Sequence, residues 1–253
     1  LVCDLSTLLL IVPPDGWQEQ SAGSLLGHDF QIFKSILCRT SLSIFTCSHS
    51  TKNHMLTMAI TAAKKTLRQE IGNVIKTISA EDKIRQSQRV HDKLFLLPEY
   101  KASNRISVYL STSDEIDTLP ILKNIFDSNK LAFVPRYKGK TMEMVRLTSM
   151  EDYENLPLTK WNIKQPSVKE ERENALETGG LDLVILPGVA FTLDGKRLGH
   201  GMGYYDKFLH NCIANTPRKP HLIGVAFNEQ LKEDIPITEE DVILDLVLTE
   251  KKK

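Results

Sequence analysis

Five residues two-thirds of the way along the chain, Asp182-Leu183-Val184-Ile185-Leu186, restrict its fold more than any others. Beyond the aspartate every side chain is apolar, and the run is closed off by Gly179-Gly180 before it and Pro187-Gly188 after it. A strand with one solvated face alternates apolar and polar residues. One without alternation must be covered on both faces, as parallel strands are when helices pack above and below. Other short runs fit the same sheet: Arg105 to Leu110, Leu131 to Pro135, His221 to Phe227 and Val242 to Leu248. Thr141 to Leu147 alternates and suits an edge. Between them lie helical periods. Ala63, Leu67, Ile71, Val74, Ile75 and Ile78 form one apolar stripe, and Ser79-Ala80-Glu81-Asp82 reads as an N-cap opening a second helix that Pro98 ends. Further helices are expected at 118–128 and 204–212. The alternation predicts an α/β fold, an open and mostly parallel sheet with helices on both faces in three layers.

Charge and composition narrow the function. Lysine plus arginine balance aspartate plus glutamate at 32 each, so the basic excess that holds phosphate backbones is absent and a dedicated nucleic-acid binder is disfavoured. No apolar run approaches the roughly 18 residues of a membrane span. The four cysteines include no C-x-x-C pair and no companion histidine at zinc spacing, which reads as reduced thiols in the cytoplasm. Residues 1–57 differ from the rest. They carry three of the four cysteines, and no acidic residue occurs from Gln31 to Met58. We expect an N-terminal extension, disordered or outside the native protein, and a single catalytic domain over 58–253. The alternative is that residues 31–57 act as a mitochondrial transit segment.

The chemistry concentrates in Gly195 to Asp206, G-K-R-L-G-H-G-M-G-Y-Y-D. Four of the thirteen glycines, Gly195, Gly199, Gly201 and Gly203, fall within it. Alternating glycines let backbone N–H groups converge on a ligand, and a helix starting near Tyr204 would aim its first amides at the same anion. Lys196 and Arg197 add positive charge, and Asp206 in the first helical turn can hold a metal ion against phosphate oxygens. Each feature has a plainer reading: a flexible turn, a solvated ion pair, an acid complementing the helix dipole. Known nucleotide motifs do not account for the segment. Gly139-Lys140-Thr141 supplies half of a Walker motif but has Val134 where the first glycine belongs. G-x-G-x-x-G, G-x-S-x-G and H-E-x-x-H are absent.

The segment resembles the 5-formyltetrahydrofolate cyclo-ligase family, whose pattern is L-P-G-x-x-F followed by G-x-R-L-G-x-G-x-G-Y-Y-D. Here these are Leu186 to Phe191 and Gly195 to Asp206. Matching blocks follow family order at Lys64 to Arg68, Leu110 to Thr118, Phe133 to Tyr137, Met142 to Arg146, Trp161 to Ile163 and Thr178 to Leu183. The resemblance implies conversion of 5-formyltetrahydrofolate and ATP to 5,10-methenyltetrahydrofolate, ADP and phosphate, with Mg2+, by a monomer. It implies ATP contacts at Lys64, Lys65, Thr66, Leu67 and Arg68 and along Arg197, Leu198, Gly199, His200, Gly201, Met202, Gly203, Tyr204 and Tyr205. Folate contacts would come from Leu110, Glu115 and Trp161, and from His200 to Tyr204. Asp206 and Asp241 would hold the metal, with Arg136 and Tyr137 as further pocket residues. Animal members commonly carry R-G-K-G where this chain has His200-Gly201-Met202-Gly203, so one cation is missing. Two rival classes remain. A sugar-phosphate isomerase on a similar fold would need an acid–base pair beside the loop, and a non-catalytic folate- or RNA-associated homologue would carry an added RNA-binding module.

Overall fold

The computed structural model describes residues 54–159, 163–216 and 218–251. Helix α1 occupies 54–77 and is thus already formed upstream of the expected boundary at 58. The expected transit segment 31–57 lies mostly outside the described residues. Ser79 caps α2 (Ala80–Leu96) by accepting from the Asp82 amide at 3.0 Å, with Glu81 and Asp82 in the first turn. Pro98 closes that helix and opens the short α3 (Pro98–Ala102). Then follow β1 (Arg105–Val108), α4 (Leu119–Asp127), β2 (Leu131–Lys138), β3 (Thr141–Leu147), α5 (Met150–Glu154) and β4 (Leu183–Leu186). The chain continues through β5 (Ala190–Phe191), β6 (Arg197–Leu198), α6 (Tyr204–Asn215), β7 (His221–Val225) and β8 (Leu246–Leu248).

Six strands form one sheet in the order β3-β2-β1-β4-β7-β8, all parallel except β3. All four residues of β4 are buried, which requires cover on both faces of the strand. β3 pairs antiparallel with β2 and forms the edge, as its alternation predicted. α4 packs on β1 and β2, α2 on β8 and α6 on β3. Val90, Leu94, Ile106, Phe133, Leu183 and Ile223 belong to one continuous core. The strand expected from Val242 begins only at Leu246, because the Leu244 amide is taken by the Gly195 carbonyl at 2.9 Å. β2 outlasts Pro135, because the turn at Gly139 (φ +62°) folds it directly onto β3. Among the described residues no helix is long and apolar enough to cross a membrane.

The topology locates the crevice. The chain moves from β1 to β2 on one side and later returns to place β4 on the other side of β1. The carboxyl ends of β1 and β4 therefore flank a switch point, where open α/β sheets leave room for ligands. Leu110 and Glu115 follow β1, and Pro187 and the glycine-rich segment follow β4.

Candidate active site

The glycine-rich segment has two parts with different jobs. From Pro187 the chain enters a small hairpin, β5 paired with β6, closed by Thr192 N to Lys196 O at 3.0 Å and Gly195 N to Thr192 O at 3.1 Å. Gly195 has φ +91°, and a Cβ there would lie 2.2 Å from the Leu244 carbonyl oxygen, so only glycine allows this close approach. The Lys196 side chain is drawn to Asp194 and Asp234. Below the hairpin the buried Gln230 accepts from the Phe227 amide at 2.8 Å and donates to the Gly188 carbonyl at 2.7 Å. No sequence motif marks Gln230, because its work is hydrogen bonding to a distant backbone.

The second part begins at Gly199. Gly201 (φ +106°) and Gly203 (φ +66°) take left-handed conformations, and Gly203 is the N-cap of α6 with no side-chain cap. Among the described residues the first-turn amides of α6 thus receive no side-chain cap, which leaves them open to an anion. His200 and Met202 are exposed. Arg197 and Leu198 lie behind this loop. Leu198 is buried against α1, and Arg197 is buried with Nη1 on the Pro187 carbonyl at 3.2 Å and Nη2 on Asp206 Oδ1 at 3.0 Å. Its guanidinium also lies 5.6 Å from the centre of the Tyr205 ring.

Helix α1 reaches the loop from the other side. Leu67, Ile71 and Ile75 pack on Val189, Ala190, Leu198 and Ile235, a second apolar cluster that docks the helix on the hairpin. That rotation turns Lys64 and Arg68, one turn apart, toward the site, while Lys65 and Thr66 stay in solvent. Arg68 Nε donates to the Gly199 carbonyl at 2.7 Å, and its guanidinium carbon is 3.5 Å from the Cβ position of Gly201. Lys64 Nζ pairs with Asp241 Oδ2, which also accepts from the Thr238 amide and hydroxyl. Burial alone would raise the Asp241 carboxyl, but Lys64 and Thr238 together hold it below its ordinary range. Thr238 to Asp241 is thus a turn locked by the aspartate side chain. Asp206 Oδ1 lies 3.4 Å from the amide of Val242, so the two aspartates are neighbours, one from α6 and one from the β7–β8 connection.

Tyrosines form the far wall. Tyr204 donates to the Gly139 carbonyl at 2.9 Å, and its ring meets Tyr137 edge-on at 5.0 Å. The turn that looked like half a Walker motif therefore enters the site as a hydrogen-bond acceptor. Tyr205 is buried, with its hydroxyl beside that of Tyr137. Burial pushes its phenol far above the ordinary value, with Tyr137 and the Glu115 carboxylate adding to the rise. Glu115 itself accepts from the Thr112 amide and hydroxyl, and Leu110 is half-buried beside the core. Arg136 is buried and committed to Glu143 and to the Ser167 and Glu170 carbonyls, so it braces β2 and does not face the crevice. Trp161 lies outside the described residues.

Known proteins match this chain over most of its length. Residues 60–250 fit the sequence model of the 5-formyltetrahydrofolate cyclo-ligase family. The 5-formyltetrahydrofolate cyclo-ligase of Mus musculus is 44% identical over 198 residues, covering 78% of this chain and 98% of that one. The probable 5-formyltetrahydrofolate cyclo-ligase of Caenorhabditis elegans is 42% identical over 195 residues, with 76% and 95% covered. Among solved structures, the 5,10-methenyltetrahydrofolate synthetase of Aquifex aeolicus superposes with a TM-score of 0.62 at 30% identity, covering 75% of this chain and 91% of that one. A synthetase from Mycoplasma pneumoniae, 20% identical with a TM-score of 0.56, shares the fold. With its loop, its sheet and almost all of residues 60–250 accounted for, the chain belongs to the 5-formyltetrahydrofolate cyclo-ligase family.

Proposed function

We propose that this enzyme converts 5-formyltetrahydrofolate to 5,10-methenyltetrahydrofolate at the expense of ATP, with catalysis contained in residues 58–253. The observation that carries the ATP dependence is the left-handed Gly201 and Gly203 opening α6 beside two neighbouring aspartates, with Lys64 and Arg68 reaching over the same loop. Such a loop suits a triphosphate better than a single phosphate, because amides, cations and carboxylates follow one another along it. In the reaction the formyl oxygen attacks the γ-phosphoryl group and ADP leaves. The N10 nitrogen then attacks the activated formyl carbon and loses its proton, and the former formyl oxygen departs with phosphate. No step calls for a protein nucleophile. The protein positions the two substrates, and the amides of the Gly199–Tyr205 loop together with Lys64 and Arg68 face the charge that shifts during phosphoryl transfer. Glu115, Tyr137 and Tyr205 close the folate side and keep water from the activated formyl group.

The residues also fit magnesium. Asp206 and Asp241 supply hard oxygen donors, and Asp206 Oδ2 and Asp241 Oδ1 make no hydrogen bond among the described residues. Magnesium is commonly held by one or two carboxylates together with substrate phosphates and water, and bound there it would neutralise phosphoryl oxygens. The test is incubation of the full chain with 5-formyltetrahydrofolate, ATP and Mg2+, following methenyl absorbance. No methenyl product overturns the activity, and product formed without ATP overturns the mechanism.

A further inference from the structure

Both aspartates facing the loop already hold a protein cation, but the two cations differ in freedom. Arg197 is fixed. Its side chain is 3% exposed, it belongs to β6, and its guanidinium is divided between Pro187 and Asp206. Lys64 is less enclosed, its side chain being 13% exposed. It sits on α1 at the rim of the site, and its ammonium has Asp241 as its partner among the described residues. An ammonium on a four-carbon stem can swing, where a buried guanidinium fork cannot. The same Asp241 carboxylate is one of the two that fit a divalent cation. Asp206 and Asp241 are thus each already paired with a cation, while Arg68 is held on the Gly199 carbonyl. A divalent cation arriving alone would have to displace an ammonium from its counter-ion. A nucleoside triphosphate arriving with the cation removes that obstacle, because its phosphates offer Lys64 another anion.

We infer that Lys64 makes this site select a metal–nucleoside triphosphate complex over the free divalent cation, by occupying Asp241 until phosphate oxygens draw its ammonium away. The inference rests on the ATP and metal reading above. It concerns the order in which the site fills, and its test needs no turnover.

Mn2+ alone serves as the probe, titrated into the full-length protein without nucleotide and followed by electron paramagnetic resonance of the free ion. The wild-type protein should bind Mn2+ weakly, and K64M should bind it at least about tenfold more tightly, since a full charge leaves the carboxylate. K64R, which keeps the charge, should stay near wild type. K64M/D241N should lose the gain, tying it to Asp241. Circular dichroism of each variant checks the fold, and K64R separates loss of charge from loss of shape. With a non-hydrolysable ATP analogue present, the order should reverse, K64M binding the metal–nucleotide pair more weakly than wild type. Equal Mn2+ affinity in wild type and K64M overturns the inference, as does a gain that survives in K64M/D241N. If wild type nevertheless forms methenyl product with ATP and Mg2+, the proposed activity stands while the inference falls.

Discussion

Arg197 is the residue whose role changes most between sequence and structure. In the sequence it is one of two adjacent cations in a glycine-rich loop, ready to meet a phosphate. In the fold it belongs to a two-residue strand buried on both faces, and its neighbour Lys196, just outside that strand, points to Asp194 and Asp234. Only the tertiary structure decides which of the two adjacent cations is buried. Arg197→Met takes the donor from the Pro187 carbonyl and the cation from Asp206, so we expect a loss of about 2 kcal/mol in urea unfolding. Arg197→Lys should recover only part of it, because a point charge cannot serve two divergent acceptors. Met202 is the opposite case. It is 66% exposed at the rim of the loop, where a charge costs nothing to place. Met202→Lys should lower the KM for ATP by about two- to fivefold with kcat unchanged, the scale of one exposed ionic contact. Steady-state kinetics check this, and unchanged KM values for both substrates would show the missing cation to be irrelevant here.

At the scale of elements, caps and turns were legible wherever the cause is local. Ser79 starts α2 because its hydroxyl and the Asp82 amide are three residues apart, a relation visible in sequence. The β5–β6 hairpin was not legible. Two strands of two residues have no period, and what holds them is Leu244 and Gln230, far along the chain. The glycines of the loop divide accordingly. Gly195→Ala forces a Cβ against the Leu244 carbonyl and a strained φ, so it should cost at least roughly 2 kcal/mol and detach the β7–β8 connection that carries Asp241. Gly203→Ala pays only for the left-handed conformation, nothing lying within 4 Å of its Cβ, and should cost about 1 kcal/mol. Denaturation of the two variants side by side measures the difference.

For the molecule as a whole, acid stability should depend on ion pairs away from the crevice. Arg172 grips Asp152 with both terminal nitrogens at 2.7 Å, joining α5 to the segment before β4. The Arg172 hydrogen bonds bring the Asp152 carboxyl down to about 2, with Thr148 assisting and burial opposing. A carboxyl lowered in the folded state contributes stability that is complete above its ordinary value near 3.8 and lost as pH falls through about 2. Urea midpoints should therefore drop between roughly pH 4 and pH 2, and Asp152→Asn should flatten the drop there while lowering stability at neutral pH. An unchanged slope in the variant would assign acid sensitivity to other carboxylates.

The sequence by itself determined the kind of fold. An unbroken apolar strand must be covered on both faces, and that requirement, with helical periods between strands, leads to a mostly parallel sheet between helices. It also pointed to the segment after β4 as the candidate site, since glycines and a following helix start are local signals. Only the tertiary structure decided how that segment is divided, with Gly195 to Leu198 serving as a packed support and Gly199 to Asp206 facing the crevice. The support exists because Leu244, Gln230 and α1 press on it from elsewhere in the chain. The same long-range packing set Lys64 against Asp241, 177 residues away, a pairing that no local pattern encodes because neither residue has any physical influence on the other until the sheet has formed.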